Sequence, residues 1–227
     1  MPFVWWDPTM ILLIPAIILA IWAQMRVSST YKKYAKIPAA SGISGAQAAK
    51  SILDQNGVIG VGVESVEGKL SDHYDPRSRT VRLSTDNFKG RSLSAIAVAA
   101  HEVGHAIQDN TGYIPLKIRH TILPATNIGS WAAFPLFLIG MFMNTPFLMD
   151  LGIILFAAVV VFHFVTLPVE FNASHRALGQ LRGNGMLVDE EVRGAKKVLN
   201  AAALTYVAAT AMALLQLIRL ILIRGND

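Results

Sequence analysis

The segment His101-Glu102-Val103-Gly104-His105 sets two imidazoles four positions apart, with a carboxylate beside the first. Four residues make about one helical turn, so both rings project from one face and can share one cation. Two neutral imidazoles suit Zn2+, each at roughly 2.0–2.1 Å. Glu102 stands next to them, where it can take a proton from a water polarised by that ion. This is the minimal equipment for metal-assisted hydrolysis of a peptide bond. The run Ser92–Ala100 that leads into the motif is rich in alanine and free of glycine and proline, which predicts a helix over about 92–110. Gly104 departs from that pattern at a cost of about 1 kcal/mol relative to alanine. The bland reading, two surface histidines flanking a solvated glutamate, gives that glycine no purpose. A metal site does, if another stretch of chain passes close by.

A catalytic zinc needs three protein ligands and one open position. The chain has no cysteine, so the third ligand is a histidine or a carboxylate. Which one depends on the elements that carry it. Hydrophobic residues make up 53% of the chain and charged residues only 15%, against about 25% charged in ordinary soluble domains. The mean hydropathy is +0.44. The composition predicts a membrane protein. Four stretches are near the ~20 residues that a bilayer requires: residues 8–25, 122–143, 146–167 and 201–223. Trp5, Trp6 and Trp22 flank the first as interfacial anchors. It lacks the basic start of a signal peptide, and basic residues follow it, so it reads as a retained anchor.

The net charge of +5 does not call for a nucleic-acid partner, because the basic residues flank apolar runs rather than form one basic face. Arg26, Lys32, Lys33 and Lys36 follow the first stretch, Lys117 and Arg119 precede the second, and Arg176, Arg182, Arg193, Lys196 and Lys197 lie between the third and fourth. The positive-inside rule then puts residues 26–120 and 168–200 together in the cytoplasm, with both termini outside and Arg224 as an ambiguous vote. The HExxH helix and the segment after the third span therefore face one compartment. Glu170 lies in that segment, beside lipid, where a carboxylate is costly unless paired or bound to metal. His163, seven residues earlier, competes as a deeper ligand, although Pro168 between them is expected to break the helical register. A Glu170 that merely caps a helix begun by Pro168 is the structural alternative.

On the cytoplasmic side Ser44 reads as the N-cap of a helix over about 45–56, with Gly57 as its stop. Val61-Gly62-Val63 and Thr80–Ser84 read as strands, with Glu67-Gly68 as a turn and His73–Arg79 as a loop. Such a small sheet before the metal helix could bind an extended peptide along its edge. Asp72, Asp75 and Pro76 read as turn formers.

HEVGHAIQD, SDHYDP and VEFNASHRAL together resemble the bacterial neutral zinc metallopeptidase family of the YugP type, from about Tyr31 to Leu222. More distantly they are similar to the membrane gluzincins of the HtpX and CaaX-prenyl endopeptidase group. The resemblance implies His101, His105 and Glu170 as zinc ligands and Glu102 as general base. The distant group carries Asp four residues after the ligand Glu, where this chain has Ser174. Asn172 or Asp109 is an alternative partner for a ligand imidazole. For a second electrophile the first choice is His175, with Arg176, His73 and Tyr74 behind it.

The sequence thus predicts a mainly α membrane protein with four transmembrane helices and a cytoplasmic zincin-like α+β catalytic domain. It reads as a multi-pass zinc endopeptidase of the inner (plasma) membrane. Its partners are the bilayer and a peptide or membrane-protein substrate, with a second copy or another membrane protein also admissible. The alternatives are an intramembrane protease, which would place HExxH inside a span, and a non-hydrolytic scaffold or metal transporter. Transporters set their ligands at mid-membrane, and in these spans His163 stands without such a set.

Overall fold

The computed structural model describes residues 8–225. Trp5 and Trp6 lie outside the described residues. A 3-10 turn over Pro8–Leu13 leads into α1 (Ile14–Tyr34). There follow α2 (Gly45–Gln55), β1 (Gly62–Val66), β2 (His73–Asp75), β3 (Thr80–Ser84), α3 (Thr85–Lys89), α4 (Leu93–Asn110), α5 (Ile114–Phe142), α6 (Pro146–Gly183) and α7 (Asp189–Gly225). Among the described residues, four helical stretches are long and apolar enough to cross a membrane: Pro8–Tyr34, Ile114–Phe142, Pro146–Gly183 and Asp189–Gly225. All four outrun the apolar windows of the sequence. Once a helix is nucleated, each further residue adds a hydrogen bond, so it continues into polar sequence until a turn stops it. Helix α4 is not among these four.

Pro168 does not break α6 but lies inside it, as Pro124 and Pro135 lie inside α5. A proline forfeits one backbone bond. In long apolar helices the remaining ladder outweighs that loss, since every other backbone group is satisfied within the segment. Glu170 is therefore well inside a helix, and the first-turn dipole account of it does not apply.

The chain divides into two compact units. One comprises Met1–Gln24, Lys117–Leu167 and Thr205–Asp227. In it α5 and α6 approach backbone to backbone: a Cβ on Gly152 would sit 2.7 Å from the Ala133 carbonyl oxygen, and one on Gly129 2.5 Å from that of Leu155. Small residues at such crossings are how helices pack where lipid removes the hydrophobic drive between them. Phe137, Met149 and Leu220 form a small core, and Arg224 pairs with Asp150 at 2.9 Å.

The other unit comprises Met25–Leu116 and Pro168–Leu204. Its core gathers Ile52, Leu83, Ile96, Val103, Leu181 and Leu199 around α4. A reciprocal capping box, Ser44 with Gln47, starts α2, and Gly57 at φ +62° ends it. The three strands are ordered β1-β3-β2, with β1 parallel and β2 antiparallel to β3. The hairpin is thus β2–β3, and part of the expected His73–Arg79 loop is strand. Asp75 makes that hairpin: its carboxylate accepts from the Arg77 amide at 2.9 Å, the Ser78 hydroxyl at 2.7 Å and Arg82 at 3.0 Å. Asp72 accepts from the Ser84 amide and hydroxyl and from Asn87, which ties the strand end to α3. Both aspartates of the SDHYDP stretch are spent on the fold.

Candidate metal centre

Helix α4 begins at Ser92, whose hydroxyl accepts from the Ala95 amide, and runs unbroken through the HExxH residues. His101 and His105 therefore stand one turn apart, with ring centroids 4.8 Å apart and planes at 84°. Glu170 of α6 meets them. Its Oε2 lies 3.3 Å from His101 Nε2 and 3.6 Å from His105 Nε2. The three donor atoms lie within 4.8 Å of one another. His163, two turns earlier on α6, is not part of this group.

The donor set fits zinc. Four-coordinate bonds of about 2.1 Å at tetrahedral angles put neighbouring donor atoms ~3.4 Å apart, close to both imidazole–carboxylate separations. Two borderline nitrogens and one oxygen, with no thiolate, are the ligand types of a catalytic rather than a structural site. Glu170 is only 2% exposed. Burial alone would raise its carboxyl, but the His101 and His105 rings outweigh burial and hold it well below the usual carboxylate range. Burial would likewise lower His105, yet Glu170, with Glu102 behind it, raises the ring above its ordinary value.

Glu102 is 9% exposed and makes no hydrogen bond or ion pair with a described residue. Its burial raises the carboxyl, against the lowering effect of the two imidazoles. A nearly buried carboxylate without a partner among the described residues is free to engage a water.

Gly104 lets the two ligand helices touch. A Cβ there would sit 2.6 Å from the Ala173 carbonyl oxygen and 3.2 Å from the Ala173 Cα. The stretch of α6 that faces α4 carries Glu170, Ala173, Ser174 and Ala177, all buried. Ser174 Oγ lies 3.1 Å from His101 Nδ1, so the residue standing where the distant group has Asp still contacts a ligand ring. Gln108 contacts the other: its Oε1 is 3.0 Å from His105 Nδ1. Sequence reasoning missed Gln108, although its place three residues after His105 puts it on the same helical face. The two residues expected in this role do something else. Asn172 accepts from Gln108 at 3.0 Å and from Arg176 at 2.8 Å. Asp109 accepts from the Tyr74 hydroxyl at 2.9 Å, and burial first, then Asp109, pushes that phenol up to about 12.

His175 is not brought to the cluster. It belongs to the exposed stripe Phe171, His175 and Gly179. Five residues after Glu170 is about 140° around the helix from it, away from the face that packs on α4. His73 is exposed too, with its Nδ1 2.8 Å from the Ser71 carbonyl. Arg176 lies over the Tyr113 ring, 6.0 Å from its centre.

The family described as "Putative neutral zinc metallopeptidase" matches residues 9–225. Among curated proteins, the chain is 50% identical over 218 residues to the "Putative membrane protease YugP" of Bacillus subtilis (strain 168), across 95% of this chain and 97% of that protein. No solved structure matches.

Proposed function

The chain belongs to the neutral zinc metallopeptidase family, and we propose that it hydrolyses peptide bonds of membrane or membrane-adjacent proteins at the cytoplasmic face of the plasma membrane. The observation that carries this reading is the convergence of His101, His105 and Glu170 with the buried, unpartnered carboxylate of Glu102 on the same helix. His101, His105 and Glu170 are the residues that would hold the metal. A bound zinc ion supplies Lewis acidity, lowering the pKa of water toward ~7 and polarising the scissile carbonyl.

Glu102 is the general base. Its carboxylate takes one proton as the water oxygen bonds to the carbonyl carbon. It then returns that proton to the amine nitrogen as the C–N bond breaks. The raised carboxyl brings its proton affinity closer to that of the groups it serves. The exposed His175 has less support as the oxyanion partner than it has from the sequence. The free edge of β2 is the candidate seat for an extended substrate, because Tyr74 ties this strand to α4 through Asp109. Charge asymmetry supports the cytoplasmic orientation.

The test is Glu102→Gln in the full-length, zinc-loaded protein, assayed with casein or a quenched peptide. Turnover should fall by about 10²–10⁴-fold while bound zinc stays at one per chain. Equal turnover in the variant removes Glu102 from catalysis. A zinc-loaded protein that cleaves no peptide in either form favours the scaffold or transport reading.

A further inference from the structure

Gln108 is fully buried, at 0% exposure, on the helix that carries both histidines. Its amide bridges the two ligand-bearing helices. We propose that Gln108 is a positioning residue for the metal centre: it holds the proton on His105 Nδ1, aims His105 Nε2 at the metal, and fixes α4 against α6 beside Glu170. This inference rests on the metal-centre reading above.

The direction of each bond follows from what the partners can do. The Val169 carbonyl only accepts, and it lies 2.8 Å from Gln108 Nε2, so that end of the side chain is the NH2 group. Its second hydrogen goes to Asn172 Oδ1 at 3.0 Å. That oxygen is itself identified as an acceptor, because Arg176 Nε donates to it at 2.8 Å. With both amide hydrogens committed to α6, the remaining atom, Oε1, faces His105 Nδ1 at 3.0 Å. An amide oxygen cannot donate, so Nδ1 carries the hydrogen. In the neutral ring that binds a metal the lone pair is then on Nε2, the atom nearer Glu170. The hydrogen bond at one ring nitrogen selects what the other can do.

The two ligand rings differ in this respect. Ser174, at His101 Nδ1, has a hydroxyl that donates or accepts and so leaves the tautomer of His101 open. The amide at His105 leaves one choice. Val169 also immediately precedes Glu170, so the same side chain that orients one ligand anchors the backbone that presents another.

The experiment uses the full chain in detergent, with zinc affinity measured by chelator competition, thermal unfolding in parallel, and the His105 Nδ1–H followed by NMR of 15N-histidine-labelled protein. In the zinc-loaded wild type that proton should be shifted downfield and protected from exchange. Gln108→Met keeps the shape but offers only a weak thioether acceptor and no donor, and should lose the protected proton and weaken zinc by about 10–100-fold. Gln108→Glu still accepts from Nδ1 in either protonation state while losing at least one of the two donors to α6. It should keep the Nδ1–H signal and bind zinc within about threefold of wild type, at a lower unfolding temperature. A rapidly exchanging Nδ1–H in the wild type overturns the proposal without any variant. So does wild-type zinc affinity in Gln108→Met, or an equal loss in both variants that simply tracks unfolding temperature. Glu170→Gln separates the two readings. If it leaves zinc affinity unchanged, the metal centre itself is misplaced. If it abolishes binding while Gln108→Met does not, only the role given to Gln108 fails.

Discussion

Replacing Gly104 by alanine tests whether the two ligand helices must touch. The added Cβ would lie 2.6 Å from the Ala173 carbonyl oxygen, about 0.8 Å inside an ordinary contact. The obstruction is backbone, which cannot swing aside as a side chain can. Helix α6 must therefore move away from α4 by several tenths of an ångström at Ala173. Glu170 is one turn from that point, and its carboxylate moves with the helix. Ligand distances tolerate only about ±0.2 Å, so zinc affinity should fall by about tenfold or more. The effect on stability is smaller, because alanine recovers about 1 kcal/mol of helix propensity against an overpacking cost of about 1–3 kcal/mol. The net loss is up to about 2 kcal/mol. Gly179→Ala is the control: it lies on the same helix as Glu170, and its Cβ would meet nothing within 4 Å. It should leave zinc binding unchanged and stabilise slightly. Chelator competition with thermal unfolding reads both variants. Wild-type zinc affinity in Gly104→Ala would refute the claim that helix separation sets the ligand geometry.

The metal-free protein should show a two-sided pH dependence of thermal stability. The depressed Glu170 carboxyl contributes in full above the ordinary carboxylate value of about 4.3, and that contribution is lost as pH falls through its lowered value. The raised His105 ring contributes in full below about 6.5 and is lost as pH rises through its raised value, so the cluster stabilises most between those limits. A metal-free stability that climbs steadily above neutral pH would contradict this. Protons also compete with zinc for His105, so zinc affinity should rise with pH and binding should release protons measurable by calorimetry in different buffers. His175→Ala should keep kcat within about threefold, since it is exposed and lies about 140° around α6 from Glu170; a hundredfold loss in kcat at unchanged KM would restore it as the oxyanion partner. The chain has no native cysteine, so single cysteines map topology cleanly. Lys69→Cys, on an exposed turn, should react with an impermeant maleimide only in inverted vesicles, and Met143→Cys only in intact cells; the opposite pattern would invert the proposed orientation.

Local signals in the sequence are strong enough to define the HExxH helix, the N-cap at Ser44, the strand Thr80–Ser84 and the four apolar stretches. Each is set by a short-range rule: propensity, capping, alternation or span length. The strand order was not legible in this way. Parallel pairing of β1 with β3 depends on contacts remote in sequence, and the three-residue strand β2 is too short for alternation to show. Pro168 misled for a related reason. A proline has a local cost, but whether a helix absorbs it depends on the length of ladder on either side.

HExxH spacing alone fixed two imidazoles and a carboxylate on one helix, because the period of the α-helix leaves them nowhere else to go. Charge asymmetry and the cost of a carboxylate beside lipid nominated Glu170. Only the folded chain could show that its Oε2 reaches 3.3 and 3.6 Å from the two rings. Only the folded chain could show that Gly104 is small because Ala173 passes against it, and that Ser174, not Asn172, contacts the His101 ring. Those are relations between helices about seventy residues apart in sequence. No periodicity encodes them; they exist only once α4 and α6 pack.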